Sequence, residues 1–124
     1  MAKFKFSERY RYWWQVVTNA PSDTKPGHTE KQTFQVEFEP VTATESKEWD
    51  ERVAREPTVG GIENDVNFLV SVIRGWKDVA DGDGQDVEFT EENLRAALEW
   101  TWFRTAVFKA YYASQSGEAA RLGN

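Results

Sequence analysis

Two stretches in the first third of the chain alternate apolar and polar residues. Tyr10, Tyr12, Trp14 and Val16 alternate with Arg11, Trp13, Gln15 and Val17, and Phe34, Val36 and Phe38 alternate with Gln35, Glu37 and Glu39. A period of two sends successive side chains to opposite faces of an extended chain, and aromatic and β-branched residues favour that geometry. The pattern predicts strands over residues 9–18 and 33–39, the second closed by Pro40. Between them, residues 19–31 hold Pro21, Pro26 and Gly27 among small polar residues, which predicts a long mobile connection in place of a tight hairpin turn. The strands most simply pair antiparallel. Such a ribbon is marginal in water by itself, so helices are expected over its apolar face.

The spacing of apolar positions then lengthens to that of helices. Thr44 is placed to cap a helix over residues 44–55, where Trp49 and Val53 stand four apart and Pro57 marks the end. Ile62, Val66, Leu69, Ile73, Trp76 and Ala80 advance by three or four and predict one amphipathic helix over 62–80. Asp81-Gly82-Asp83-Gly84 stops it, because glycine tolerates positive φ and aspartate bonds its own backbone in turns. Thr90 then caps a third helix over 91–114, with Glu91 and Glu92 where the helix dipole favours negative charge. Gly117 ends or weakens this helix, and residues 115–124 read as a frayed tail.

At 100° per residue, Leu94, Leu98, Thr101, Thr105, Phe108 and Tyr112 fall on one face of the third helix, the expected core stripe. A second stripe, Trp100, Phe103, Val107 and Tyr111, lies on a flank bounded by Arg104, Glu99 and Arg95. A helix apolar on two faces is either central in the fold or offers one face to a partner, so these four residues are candidates for partner binding. The expectation is an α+β fold: an N-terminal two-stranded antiparallel β ribbon packed on a bundle of about three α-helices, in a single domain over 1–124.

Composition narrows the function more than it narrows the fold. A chain of 124 residues suits one domain with a core that needs no disulfide or metal. There is no cysteine, which removes thiolate nucleophiles and zinc-thiolate sites and is compatible with a reducing interior. The first residues lack the apolar run of a signal peptide, and no segment approaches the roughly 20 apolar residues of a membrane span, so a soluble protein is expected. A net charge of −6 argues against general nucleic-acid affinity, which requires clustered cations. The basic end formed by Lys3, Lys5, Arg9 and Arg11 is the local exception, and residues 37–56 are mostly acidic. Six tryptophans, four tyrosines and eight phenylalanines exceed what a small core requires and are residue types favoured at interfaces.

Candidate chemistry is thin. His28, the sole histidine, stands between Gly27 and Thr29 with no cysteine or nearby acid to frame it as a base or ligand. In an EF-hand register, Asp81, Asp83 and Gly84 take loop positions three, five and six, but Val79 then occupies the first and Thr90 the twelfth, so both end ligands are missing. Gly60-Gly61 lacks the lysine and the spaced glycines of a phosphate loop and reads as a linker. The pairs Glu45 with Glu48 and Glu91 with Glu92 belong to helix surfaces, not to opposite walls of a cleft. No catalytic, cofactor-binding or metal-ligating set is predicted.

The order of segments resembles the tail assembly chaperones of long-tailed, siphophage-like bacteriophages and prophages. The likeness runs from Ala2-Lys3-Phe4-Lys5-Phe6 through Gln32-Thr33-Phe34-Gln35-Val36-Glu37-Phe38 and Val72-Ile73-Arg74-Gly75-Trp76. It continues in Val87-Glu88-Phe89-Thr90-Glu91-Glu92-Asn93-Leu94, Ala110-Tyr111-Tyr112-Ala113 and Arg121-Leu122-Gly123-Asn124. The resemblance implies a non-catalytic protein of virion morphogenesis in the bacterial host cytoplasm. It would bind the tape measure protein, help recruit the major tail protein during tube polymerisation, and be absent from the finished tail. Many such proteins are made in two lengths by a programmed frameshift, and this chain would be the shorter product. No residue-level binding motif is carried over by the resemblance. Self-association is compatible with it, and neither nucleic acid nor membrane is implied. The alternative is a small structural tail-completion or connector protein that stays in the particle.

Overall fold

The computed structural model describes residues 2–55 and 60–117. It is α+β: β1 (Tyr12–Pro21), β2 (Thr29–Phe38), α1 (Ala43–Arg55), α2 (Gly61–Val72), β3 (Ile73–Lys77), α3 (Glu91–Leu98) and α4 (Thr101–Gln115). The three strands form an antiparallel sheet in the order β1-β2-β3. Two strands and about three helices were expected. The third strand and the fourth helix arise because each of the two longest expected helices is interrupted.

The first interruption converts residues 73–77 of the expected 62–80 helix into β3. At Ile73 the backbone turns extended (φ −103°, ψ 127°) while its N–H still donates to the Leu69 carbonyl. Glu39 N–H donates to the Val72 carbonyl at 2.8 Å and starts the pairing with β2. The ladder pairs Phe38 with Ile73 but Glu37 with Gly75, so Arg74 is an extra residue in a β-bulge. The bulge brings Ile73 and Trp76, three residues apart, to the same buried side. Bulged strand and helix thus share one apolar spacing here.

The second interruption divides the expected 91–114 helix. Glu99 and Trp100 close α3 with i to i−3 bonds to Ala96 and Ala97, and Trp100 adopts an extended conformation (φ −89°, ψ 125°) before α4 begins. Arg104 Nη1 donates to the Leu98 carbonyl at 2.8 Å, satisfying an acceptor freed at that end. Neither glycine nor proline stands at the break; packing decides it. Leu94 and Leu98 of α3 and Val107, Ala110 and Tyr111 of α4 are all buried, although they would lie on opposite faces of one straight helix.

The remaining expectations hold in outline with shifted ends. Phe34, Val36 and Phe38 face the core from β2, opposite Val16, Trp14 and Tyr12 of β1, and Thr18 and Ala20 continue the buried side of β1. Residues 19–31 form less of a loop than expected, since pairing continues to Ala20 with Glu30 and Pro21 with Thr29. The seven-residue turn left over is closed by Ser22 N–H to the His28 carbonyl and by Gly27 at φ 80°. The first helix is capped two residues earlier than Thr44: Thr42 Oγ1 accepts from Glu45 N–H, and Glu45 Oε1 accepts from Thr42 N–H, a reciprocal capping box. Thr90 caps α3 as expected, accepting from Asn93 N–H at 3.0 Å. Pro57, and the part of the expected tail beyond residue 117, lie outside the described residues.

The helices cover one face of the sheet, with α4 lying along β1. Thr18 Oγ1 donates to the Trp102 carbonyl at 2.7 Å, and the hydroxyls of Tyr12 and Ser114 meet at 2.6 Å. Phe38, Tyr111 and Phe68 meet edge to face at the centre. Trp49 of α1 and Phe108 of α4 extend this aromatic core to its rim. On the opposite face Trp13 lies across the sheet, its ring 4.1 Å from Lys77 Nζ. A Cβ on Gly75 would stand 3.4 Å from Trp13 Cη2, in van der Waals contact with the indole.

Candidate interaction surface

The two stripes predicted on the third helix change roles after the break. Of the candidate partner-binding residues Trp100, Phe103, Val107 and Tyr111, only Trp100 is open to solvent, at 59% exposure. Phe103 is half-buried, stacked on Phe34 with centroids 4.9 Å apart. Val107 and Tyr111 are core residues. Burial pushes the Tyr111 phenol above its usual range, and its oxygen accepts from Val41 N–H at 3.3 Å. Conversely, Tyr112, assigned to the core stripe, is 61% exposed and stacks on Phe108. A phase kept at 100° per residue through the junction at Trp100 assigned these faces; the tertiary break resets it.

The break also builds a surface feature. Trp100 and Trp102 flank Thr101 at the α3–α4 junction with rings stacked at 5.5 Å, and Trp102 is itself partly exposed. The Thr18 bond to the Trp102 carbonyl and the Arg104 bonds to the Leu98 and Glu99 carbonyls hold the junction from both sides. The pair is therefore an exposed apolar projection on an anchored backbone, with charged neighbours Glu99 and Arg104. Sequence reasoning found Trp100 but not Trp102, which falls outside both helical stripes.

The polar constellations resolve into structural roles. Asp81 Oδ1 accepts from the N–H groups of Asp83 and Gln85 at 2.9 and 3.0 Å, while Asp81 N–H bonds the Gln85 carbonyl. Its carboxylate thus builds the turn between the bridged residues Ala80 and Asp86. Among the described residues no group of three or more acidic, histidine or cysteine side chains is placed to hold a metal ion. His28 is exposed in the β1–β2 turn, and Gly60 precedes α2 without a side-chain cap. Glu45 and Glu48 line a cavity of about 380 Å³ with Arg9, Arg52, Arg74, Trp49 and Phe68. Arg9 grips Glu45 through Nη1 and Nη2, and Arg52 lies over the Trp49 ring at 4.6 Å. The Arg9 guanidinium, helped by Thr42 N–H, holds the Glu45 carboxyl down to about 2. Among the described residues no helix is long and apolar enough to cross a membrane.

Compared with known protein families, with curated proteins and with solved structures, the chain shows no significant match.

Proposed function

We propose that this protein is a non-catalytic tail assembly chaperone of a long-tailed phage or prophage, which binds the tape measure protein and assists polymerisation of the tail tube. The observation that carries the reading is the stacked, exposed Trp100–Trp102 pair. Tryptophan supplies a large apolar contact at small conformational cost, and such residues dominate binding energy where they are held in place. A chaperone for a long helical client requires an apolar contact set among charges, so that it takes up the client without aggregating. The net charge of −6 keeps a loaded complex soluble and draws basic client segments. The order of segments along the chain supports the same assignment, and the tape measure and major tail proteins are the partners it implies.

The test is co-expression with a phage tape measure protein. The expected result is a soluble complex that co-purifies, and purified mature tails that lack the chain. A tape measure protein equally insoluble with and without it, or stoichiometric presence in mature tails, overturns the proposal.

A further inference from the structure

The N-terminal arm, residues 2–11, has no helix or paired strand of its own, bends at residues 8–9 and is tied to the body at its base. Arg9 pairs bidentately with Glu45, the second contact at 2.8 Å, and Arg11 Nη2 reaches Glu39 at 2.8 Å. The Tyr10 hydroxyl donates to the Lys5 carbonyl and accepts from Ser7 N–H at 2.9 Å. Beyond these ties Phe4 and Phe6 are 84% and 85% exposed, and they alternate with Lys3 and Lys5. This is the pattern of a strand with one apolar and one basic face, without a sheet to join.

The same molecule carries an acceptor of opposite charge. β2 is the middle strand, so β3 is paired along one edge only. Among the described residues no other segment makes a backbone hydrogen bond to 74–77 from the second edge. The chain from β3 into the following hairpin sets five carboxylates, Asp78, Asp81, Asp83, Asp86 and Glu88, against Arg74 and Lys77. An unpaired edge is a template for strand addition, in which main-chain bonds give affinity and side chains give selectivity. Ala2 to Phe6 matches the five residues of β3 in length.

We propose that the arm of one copy of this chain adds as a strand to the open β3 edge of a second copy, its lysines meeting the acidic hairpin. The arm and its acceptor are different surfaces, so the contact closes as a two-fold dimer by reciprocal arm exchange, or as a larger ring, or runs on as an open chain. The proposal does not depend on the identity of any client.

Sedimentation velocity on the full chain tests it. The expected result is concentration-dependent association to dimers or larger species at about 0.05 M salt, weakened at least ~10-fold at about 0.5 M, where charges are screened within a few ångströms. The side chains of Lys3, Phe4, Lys5, Phe6, Asp83 and Glu88 make no hydrogen bond, ion pair or ring contact among the described residues, so their variants keep the wild-type melting temperature. A Phe4→Ser, Phe6→Ser double variant is expected to be monomeric. Lys3→Glu, Lys5→Glu and Asp83→Lys, Glu88→Lys should each lose association alone and regain it when mixed. A wild-type chain monomeric at both salt concentrations, or unchanged association of the phenylalanine variant, overturns the proposal. A charge-reversed mixture that stays monomeric likewise overturns the assignment of the β3 edge.

Discussion

Glu45 joins three parts of the molecule through one carboxylate. It closes the Thr42 capping box at the start of α1, and it accepts from Nη1 and Nη2 of Arg9 in the N-terminal arm. Its folded pKa of about 2 lies below the ordinary 4.5, so the ionised form is the one that the fold favours. The stabilisation is therefore fully present above pH 4.5 and is lost as pH falls through about 2. Both partners face water, so salt should narrow the shift. Carboxyl NMR of Glu45 is expected to show the depressed midpoint, and Glu45→Gln should release the arm to proteases while the core stays folded. A midpoint in the ordinary carboxylate range would mean that the arm is not anchored there. The capping half of this role was legible as Thr42-x-x-Glu45, a signal that a focus on Thr44 passed over. The Arg9 half was not, because 36 residues separate the partners and only folding brings them together.

At the scale of elements, local chemistry fixed starts better than ends. Thr90 places the beginning of α3 because its hydroxyl answers a backbone N–H within one turn, a contact that needs no other part of the fold. Thr90→Ala is expected to cost about 1 kcal/mol in denaturant unfolding, with Thr90→Ser restoring most of it. No loss on Thr90→Ala would show that packing alone positions α3. The ends of α2 and α3 carried no comparable signal. Val72 and Ile73 are β-branched and Gly75 is a poor helix former, but the stripe from Ile62 to Ala80 outweighed them. The bulge at Arg74 reproduces helical spacing in a strand, and the choice fell to the hydrogen bonds that β2 offers along its second edge. At Glu99 and Trp100 the sequence has no breaker at all; the junction follows from packing, with α4 on β1 and α3 on α2 and α4.

The whole molecule decides which aromatics are surface and which are core. Trp100 and Tyr111 stood in one predicted stripe, and the structure gives them opposite environments. Tyr111→Ala is expected to destabilise by about 3–5 kcal/mol, the loss for an aromatic removed from a packed core. Trp100→Ala should change unfolding by less than about 0.5 kcal/mol. Its effect belongs to binding: the affinity for the proposed tape measure client should fall ~30-fold, the consequence of losing about 2 kcal/mol at a tryptophan anchor. Pull-down titration beside thermal melting separates the two, and a Trp100→Ala variant that binds the client normally would remove the junction from the interface. The sequence by itself determined the α+β class, the inward faces of β1 and β2, the acidic turn at Asp81 and the cap at Thr90. Each of these rests on a period or a contact within a few residues. Only the tertiary structure decided the third strand, the break at Trp100 and the burial of Tyr111. Those depend on which distant segment supplies hydrogen bonds and apolar cover, and spacing along one helix or strand carries no record of it.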